Sequence, residues 1–282
     1  MAGEGQYKRK MNKGIILHSI VPLRGEGSEC AEQLTQLLFG ETVEILEEAE
    51  RWIRVRNDAD GMEGWVDFKM LTKMSDQEYT DYRTDLDKST AFVRMPMAFA
   101  LSKNNRQTIP LTAGTRLCNY KVEGTTASFE VLGVPFFIDP TMVLPAPMPL
   151  CEDSLKELSR FLLNTPYLWG GKNALGMDCS GLTQVLMSLM GVQILRNASE
   201  QATQGKEVGS LKESQPCDLV FFDKNGRVTH VGILLSQELV LHCSGRVKVE
   251  KIDEEGIISS ENNTLYKVGD HTHHLHSIRR FG

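Results

Sequence analysis

Cys179 stands between an acid and a serine in the stretch MDCSGLTQVLMSLMGV, Met177 to Val192, and the apolar residues after it recur at helical spacing. That spacing puts Cys179 at or beside the first turn of a helix, with Asp178 as its N-cap. Unpaired backbone N–H groups at a helix start favour negative charge, which lowers a thiol pKa and raises the thiolate fraction. A strong thiol nucleophile still needs a base. In RVTHVGILL, His230 shares a strand face with Val228, Gly232 and Leu234, and Gly232 leaves that face open beside the imidazole. His242, in LVLHCSG, lies beside His230 if the two strands pair as neighbours. A cysteine, a base and a polar group that orients the base form the nucleophile set of cysteine acyl-transfer enzymes.

These residues need a frame. A helix with Asp153 as N-cap is expected from Leu155, Leu158, Phe161 and Leu162, and the Gly-rich loop NTPYLWGGKNALGMD follows it. The Cys179 helix comes next, with Leu182, Val185, Leu186 and Leu189 on one face and Gly191 near its end. Beyond it the apolar period drops to two, and DLVFF, VTHVGILL, LVLHC and RVKVEKI read as an antiparallel meander. Helices first and a sheet afterwards make an α+β unit.

Upstream, residues from about 13 to 75 alternate short apolar runs with turns such as NDADG, the pattern of a small barrel. The charged segment TKMSDQEYTDYRTDLDKST reads as a connector. Residues from about 91 to 145 again read as short strands, a diverged second copy of the first barrel, and PTMVLPAPMPL marks a boundary. The expected domains are 1–76, 77–145 and 146–282.

Composition narrows the classes. The chain has 282 residues, 41% apolar and 24% charged, with a formal net charge of −6, which leaves no basic footprint for nucleic acid. No apolar run is long enough to span a bilayer. The opening MAGEGQYKRKMNKGIILHSI lacks a signal-peptide apolar core, so a cytoplasmic protein is expected unless a leader has been trimmed from it. Six scattered cysteines without C-x-x-C argue against a zinc cluster and against a disulfide scaffold. The tail HTHHLHSIRR brings His271, His273, His274 and His276 close together, but alternation in a final strand accounts for them as well as a metal would.

Five ordered segments, PYLWGGK, MDCSGL, QPCDLVFF, THVGI and LHCSG, resemble the NlpC/p60 cell-wall peptidases, a branch of the papain-like fold. The resemblance covers about residues 150–250. It implies Cys179 as nucleophile, His230 as general base and His242 as the orienting residue. Tyr167 falls where the family has a tyrosine whose hydroxyl helps to stabilise the oxyanion. Asp178 and Ser180 match positions that border the substrate's D-glutamyl part. Cys217 stands where the family usually has Gly.

At the front, VPLRGEGSECAEQLTQLLFGE and GWVDFKML resemble the first SH3-like domain of the family's γ-D-glutamyl-L-diamino-acid endopeptidases, the dipeptidyl-peptidase VI group. In that group the domain walls the cleft and selects peptides with a free N-terminal L-Ala. The resemblance implies Glu26 and Trp65 as the acid and aromatic that hold the amine. The group's third amine ligand is an Asp in a motif like LPRDASDQ; here ILRNASEQ puts Asn197 in its place. The fold implied is a papain-like domain, helices packed on an antiparallel sheet, preceded by two small SH3-like β-barrels. The activity implied is release of L-Ala-γ-D-Glu from murein peptides carrying L-Lys or meso-diaminopimelate, for wall-peptide recycling. No metal or organic cofactor, nucleic acid or membrane is expected as a partner, and the chain is expected to be a monomer. The alternatives are a non-catalytic wall-binding protein and another amidase or acyltransferase on the same fold.

Overall fold

The computed structural model describes residues 11–282; residues 1–10 of the stretch on which the leader reading rests lie outside them. The first sheet runs from Lys13 to Met74 in seven antiparallel strands. Alternation builds it: Val21 and Leu23, Ile53 and Val55, and Val43 all point into one apolar core. The NDADG turn is tied by Asn57 Nδ2 donating to Asp60 Oδ1 at 3.0 Å and closes at Gly61, whose φ of +75° suits glycine.

The charged segment is no loose connector. It forms helix α1, Asp76–Lys88, with a Ser75–Glu78 capping box. Tyr79, Tyr82 and Leu86 lie on its inner side, and Tyr82 and Leu86 are buried in the core of the middle domain. That domain, Ala91–Leu144, has two small sheets of five and three strands around this core.

The third region starts with helix α2, Glu152–Ser159, then α3, Cys179–Leu189, and the single turn α4, Ala198–Gln201. Cys151, not Asp153, occupies the N-cap of α2, so Asp153 sits in the first turn. The following strands, Leu219–Lys224, Arg227–Ser236, Leu239–Ser244, Arg246–Ile252 and Gly256–Ile258, pair in sequence. The tail strand His271–Arg280 then pairs at both edges, Phe222 with Leu275 and Ile257 with His273. The meander is therefore closed into a six-stranded barrel, and sheet dominates the domain more than an open α+β layer would require. Residues alternate between the two faces. Val220, Phe222, Leu234, Val240 and Ile252 form one core. Leu219, Phe221, Val231 and Ile233 join α2 and α3 in the other. Burying Leu182 and Leu186, both 0% exposed, contributes about 1.5–3 kcal/mol each and anchors the helix that begins at Cys179. Among the described residues, no helix is long and apolar enough to cross a membrane.

Candidate active site

α3 begins where a two-strand turn, Lys172–Asn173 against Gly176–Met177, ends. Asp178 caps it, with Oδ1 accepting from Gly181 N at 2.6 Å and Oδ2 from Gly170 N at 2.9 Å. A Cβ on Gly181 would lie 2.3 Å from Gly171 O, so the turn tolerates no side chain there. Arg196 grips the same carboxylate through Nη1 at 3.0 Å and Nη2 at 2.7 Å. It is 1% exposed and also donates to Ser180 Oγ at 2.8 Å and to Thr35 Oγ1 of the first barrel at 2.6 Å. Asp178 and Ser180, expected to border a substrate, turn their polar atoms into this network. What they offer a substrate is the position of the loop.

Cys179 is 6% exposed, and the Val231 and Ser180 backbone amides favour the charged form of its sulfur. Burial, reinforced by the Asp178 charge, pushes the thiol up to about 11 against the pull of those amides and Arg196. The lowered pKa expected from the helix start is thus overturned, because two amides do not replace the water lost around the sulfur. At rest the group is a thiol.

Val231, whose amide acts on the sulfur, directly follows the expected base His230 in the chain. Gly232 pairs with His242 across the sheet, and His230 Nε2 lies 2.9 Å from His242 Nδ1. A Cβ on Gly232 would meet Val240 Cγ2 at 2.5 Å and His242 Cβ at 3.3 Å, so the glycine is what lets the strands close on this pair. Burial pushes both imidazoles below the ordinary histidine value. Tyr167 is an exposed residue, but loss of water around its hydroxyl, and then the neighbouring Cys179 and Asp178, raise its pKa, which keeps the phenol a donor.

Three functional-site neighbours escaped the sequence reading. Glu250, 3% exposed, places Oε2 at 2.9 Å from His242 Nε2. His273, on the tail strand, stacks on His230 with ring centroids 4.3 Å apart and planes 29° apart. Burial, then His242, pushes His273 down to about 4, so it is a neutral ring. Arg196 is the third. Signals were present: Glu250 shares strand parity with Lys248 and Ile252, and Arg196 adjoins Asn197. Cys217, in the family's usual glycine position, has φ +74°, the region glycine enters most easily.

The three residues expected to hold an amine are less closely joined. Trp65 pairs with Arg24, two residues before the exposed Glu26. Asn197 begins α4 and reaches Met62 Sδ of the first barrel through Nδ2 at 3.6 Å. Among the described residues, no hydrogen bond or ion pair joins these three side chains to one another. Trp169 is 60% exposed and donates from Nε1 to Glu32 Oε1 at 2.7 Å. Among the described residues, no group of three ligating side chains is placed to hold a metal.

Comparison with known proteins agrees with this geometry. The model of the NlpC/P60 family matches residues 164–265, and that of the bacterial dipeptidyl-peptidase SH3 domain matches residues 23–71. A Bacillus subtilis protein named gamma-D-glutamyl-L-lysine dipeptidyl-peptidase is 30% identical over 219 residues, covering 74% of this chain and 71% of the relative. Dipeptidyl-peptidase 6 of Lysinibacillus sphaericus is 29% identical over 264 residues, covering 86% and 92% respectively. The crystal structure of an NlpC/P60 family protein from Bacillus cereus superposes with a TM-score of 0.77 at 20% identity, covering 95% of this chain and 99% of that one, which shows a shared fold. With an SH3-like domain in front of a papain-like domain, the chain belongs to the NlpC/P60 family of cysteine peptidases.

Proposed function

We propose that the protein hydrolyses the bond between γ-D-glutamate and L-Lys or meso-diaminopimelate in murein peptides with a free N-terminal L-Ala, releasing L-Ala-γ-D-Glu. The observation that carries the reading is the 2.9 Å contact between His230 and His242, where His230 directly precedes Val231, whose amide acts on the Cys179 sulfur. The SH3-like match at residues 23–71 and the names of the relatives point to the substrate class.

As Cys179 Sγ attacks the γ-carbonyl, its proton passes to His230, the C–S bond forms and the carbonyl pair moves onto oxygen. The Cys179 backbone N–H, unpaired at the helix start, and the Tyr167 hydroxyl meet that oxyanion. Collapse expels the diamino acid's amine, which leaves with the proton from His230. Water then attacks the thioester by the same route, releasing the dipeptide and restoring the thiol. His242 orients His230 throughout.

In this reading the first barrel walls the cleft, and Glu26, Trp65 and Asn197 receive the substrate's ammonium. Asn197 offers an oxygen without the charge of an Asp, which weakens selection for the free amine. The middle domain is read as a second, diverged SH3-like barrel. A monomer acting in the cytosol on recycled wall fragments fits a free-amine requirement.

The test is incubation with L-Ala-γ-D-Glu-L-Lys and its N-acetylated form, with Cys179→Ala as control. Release of L-Ala-γ-D-Glu from the free-amine peptide by the wild type alone is expected. No release from either peptide would overturn the endopeptidase reading; equal release would overturn only the amine selection.

A further inference from the structure

Glu250 anchors a hydrogen-bonded chain that runs back towards the sulfur. Its Oε1 accepts from Ser260 N at 2.9 Å and from Ser260 Oγ at 2.8 Å. Its Oε2 receives Lys248 Nζ at 2.9 Å and stands 2.9 Å from His242 Nε2. Burial alone would raise this carboxyl, but the bonds from His242, Ser260 and Lys248 outweigh it and hold the pKa well below the usual range. Glu250 is therefore a carboxylate that only accepts hydrogen bonds.

The consequence passes along the chain one nitrogen at a time. An acceptor at Oε2 obliges His242 Nε2 to carry its hydrogen. Burial keeps His242 neutral, so its Nδ1 holds a lone pair. The 2.9 Å contact with His230 then requires a hydrogen on His230 Nε2. His230 is kept neutral by burial too, which leaves its Nδ1 unprotonated. With the opposite tautomer of His242, His230 would carry its hydrogen on Nδ1 and have no lone pair there to take a proton.

We propose that Glu250 is a positioning residue that selects, through His242, the tautomer of His230 whose Nδ1 is free to receive the Cys179 proton. The proposal rests on the reading of Cys179 and His230 as nucleophile and base. Only one proton moves, from Sγ to Nδ1, and the imidazolium formed keeps its Nε2 hydrogen pointed at His242. The groups facing the two imidazoles are accounted for. Lys248 lies opposite His242 on the neighbouring strand and is paired with Glu250. His273 and Phe222 flank His230 as rings, at 4.3 and 5.8 Å between centroids.

The test combines a measurement on the unaltered protein with two substitutions. In protein carrying 15N-labelled histidine, imidazole shifts at neutral pH are expected to show His230 and His242 both protonated at Nε2. A Nδ1-protonated His242 in the wild type would overturn the proposal without any variant. Glu250→Gln places an amide where no orientation suits both Ser260 N–H and His242 Nε2–H, so a Nδ1-protonated His230 is expected. Alkylation of Cys179 by iodoacetamide is then expected to slow by about 10² or more, within the usual worth of a general base. Its pH profile is expected to move towards that of His230→Ala, which a merely structural role would not cause. Wild-type tautomer and rate in Glu250→Gln would overturn the role of Glu250 alone. If His230→Ala leaves alkylation unchanged, the Cys179–His230 pairing falls, and the role of Glu250 with it.

Discussion

Replacing Arg196 by Met should be among the most damaging changes that leave the proposed catalytic groups themselves intact. The guanidinium is 1% exposed and makes two bonds to Asp178, one to Ser180 Oγ and one to Thr35. Without it, a carboxylate that is 6% exposed is left to the Gly170 and Gly181 amides and the Ser180 hydroxyl. Breaking one partner out of a buried ion pair costs about 3–5 kcal/mol, because the remaining charge stays desolvated. That is a large share of the roughly 5–15 kcal/mol that holds a typical protein folded. A second effect reaches the sulfur, since Arg196 lowers the Cys179 pKa while Asp178 raises it. Removing the cation alone should move the thiol still higher and shift alkylation by iodoacetamide to more alkaline pH. The assay is a double-mutant cycle on urea unfolding with Arg196→Met, Asp178→Asn and the pair, where removing both charges should restore much of the loss. A coupling under about 1 kcal/mol, or an alkylation profile that moves towards acid, would show that the pair does not hold the nucleophile's turn.

Three further outcomes follow from the same geometry. Gly232→Ala drives a methyl to 2.5 Å from Val240 Cγ2 and 3.3 Å from His242 Cβ. About 1–3 kcal/mol of lost stability is expected, with a larger fall in turnover than in melting temperature if His242 is displaced. His230, His242 and His273 all have pKa values depressed from 6.5, His273 to about 4, so the unfolded chain binds protons that the folded one refuses. Stability should therefore be whole above about pH 6.5 and fall as pH drops below it, and a urea midpoint unchanged between pH 7 and pH 5 would contradict the burial of these rings. Asn197→Asp should lower KM for L-Ala-γ-D-Glu-L-Lys and leave the N-acetylated peptide unaffected, because only an ammonium gains from the charge. An equal change for both peptides would remove Asn197 from the amine site.

Local pattern carried much of the site. Asp178 as cap, Cys179 at the helix start, and His230 with Gly232 on one strand face are all short-range facts, and the structure keeps them. What stayed hidden depends on long-range pairing or on solvent. Glu250 lies between two lysines in RVKVEKI and reads as a solvated face until His242 is set opposite that strand. His273 reaches His230 because the tail strand pairs with Leu219–Lys224, the strand next to that of His230, a pairing that no local period announces. Tyr79, Tyr82 and Leu86 have helical spacing, but the charges between them give α1 the texture of a linker. The thiol pKa was misjudged for a related reason. A helix start is visible in sequence, whereas the dry environment that overrides it is assembled from Val231, His230 and the barrel behind them.

The first barrel is bound to the catalytic domain through directional bonds more than through an apolar seam, and this bears on the cleft. Thr35 takes Arg196; Gln36 Oε1 takes Lys172 N at 2.9 Å and Asn173 Nδ2 at 2.7 Å. Glu41 pairs with Lys172 Nζ at 2.9 Å, and Asp60 accepts from Gln184 Nε2 at 3.1 Å. Each catalytic-domain partner is buried: Arg196, Lys172, Asn173 and Gln184 are 1, 5, 5 and 9% exposed. An apolar contact tolerates sliding by a fraction of a side chain. A set of buried hydrogen bonds does not, because each lost partner leaves a desolvated polar group. Four of these bonds land on residues 172–173 and 196, the turn before α3 and the arginine that holds its cap. The position of the barrel and the position of Cys179 are therefore one constraint; on the proposed function, the wall assigned to the substrate's amine is held in register with the sulfur assigned to its γ-carbonyl.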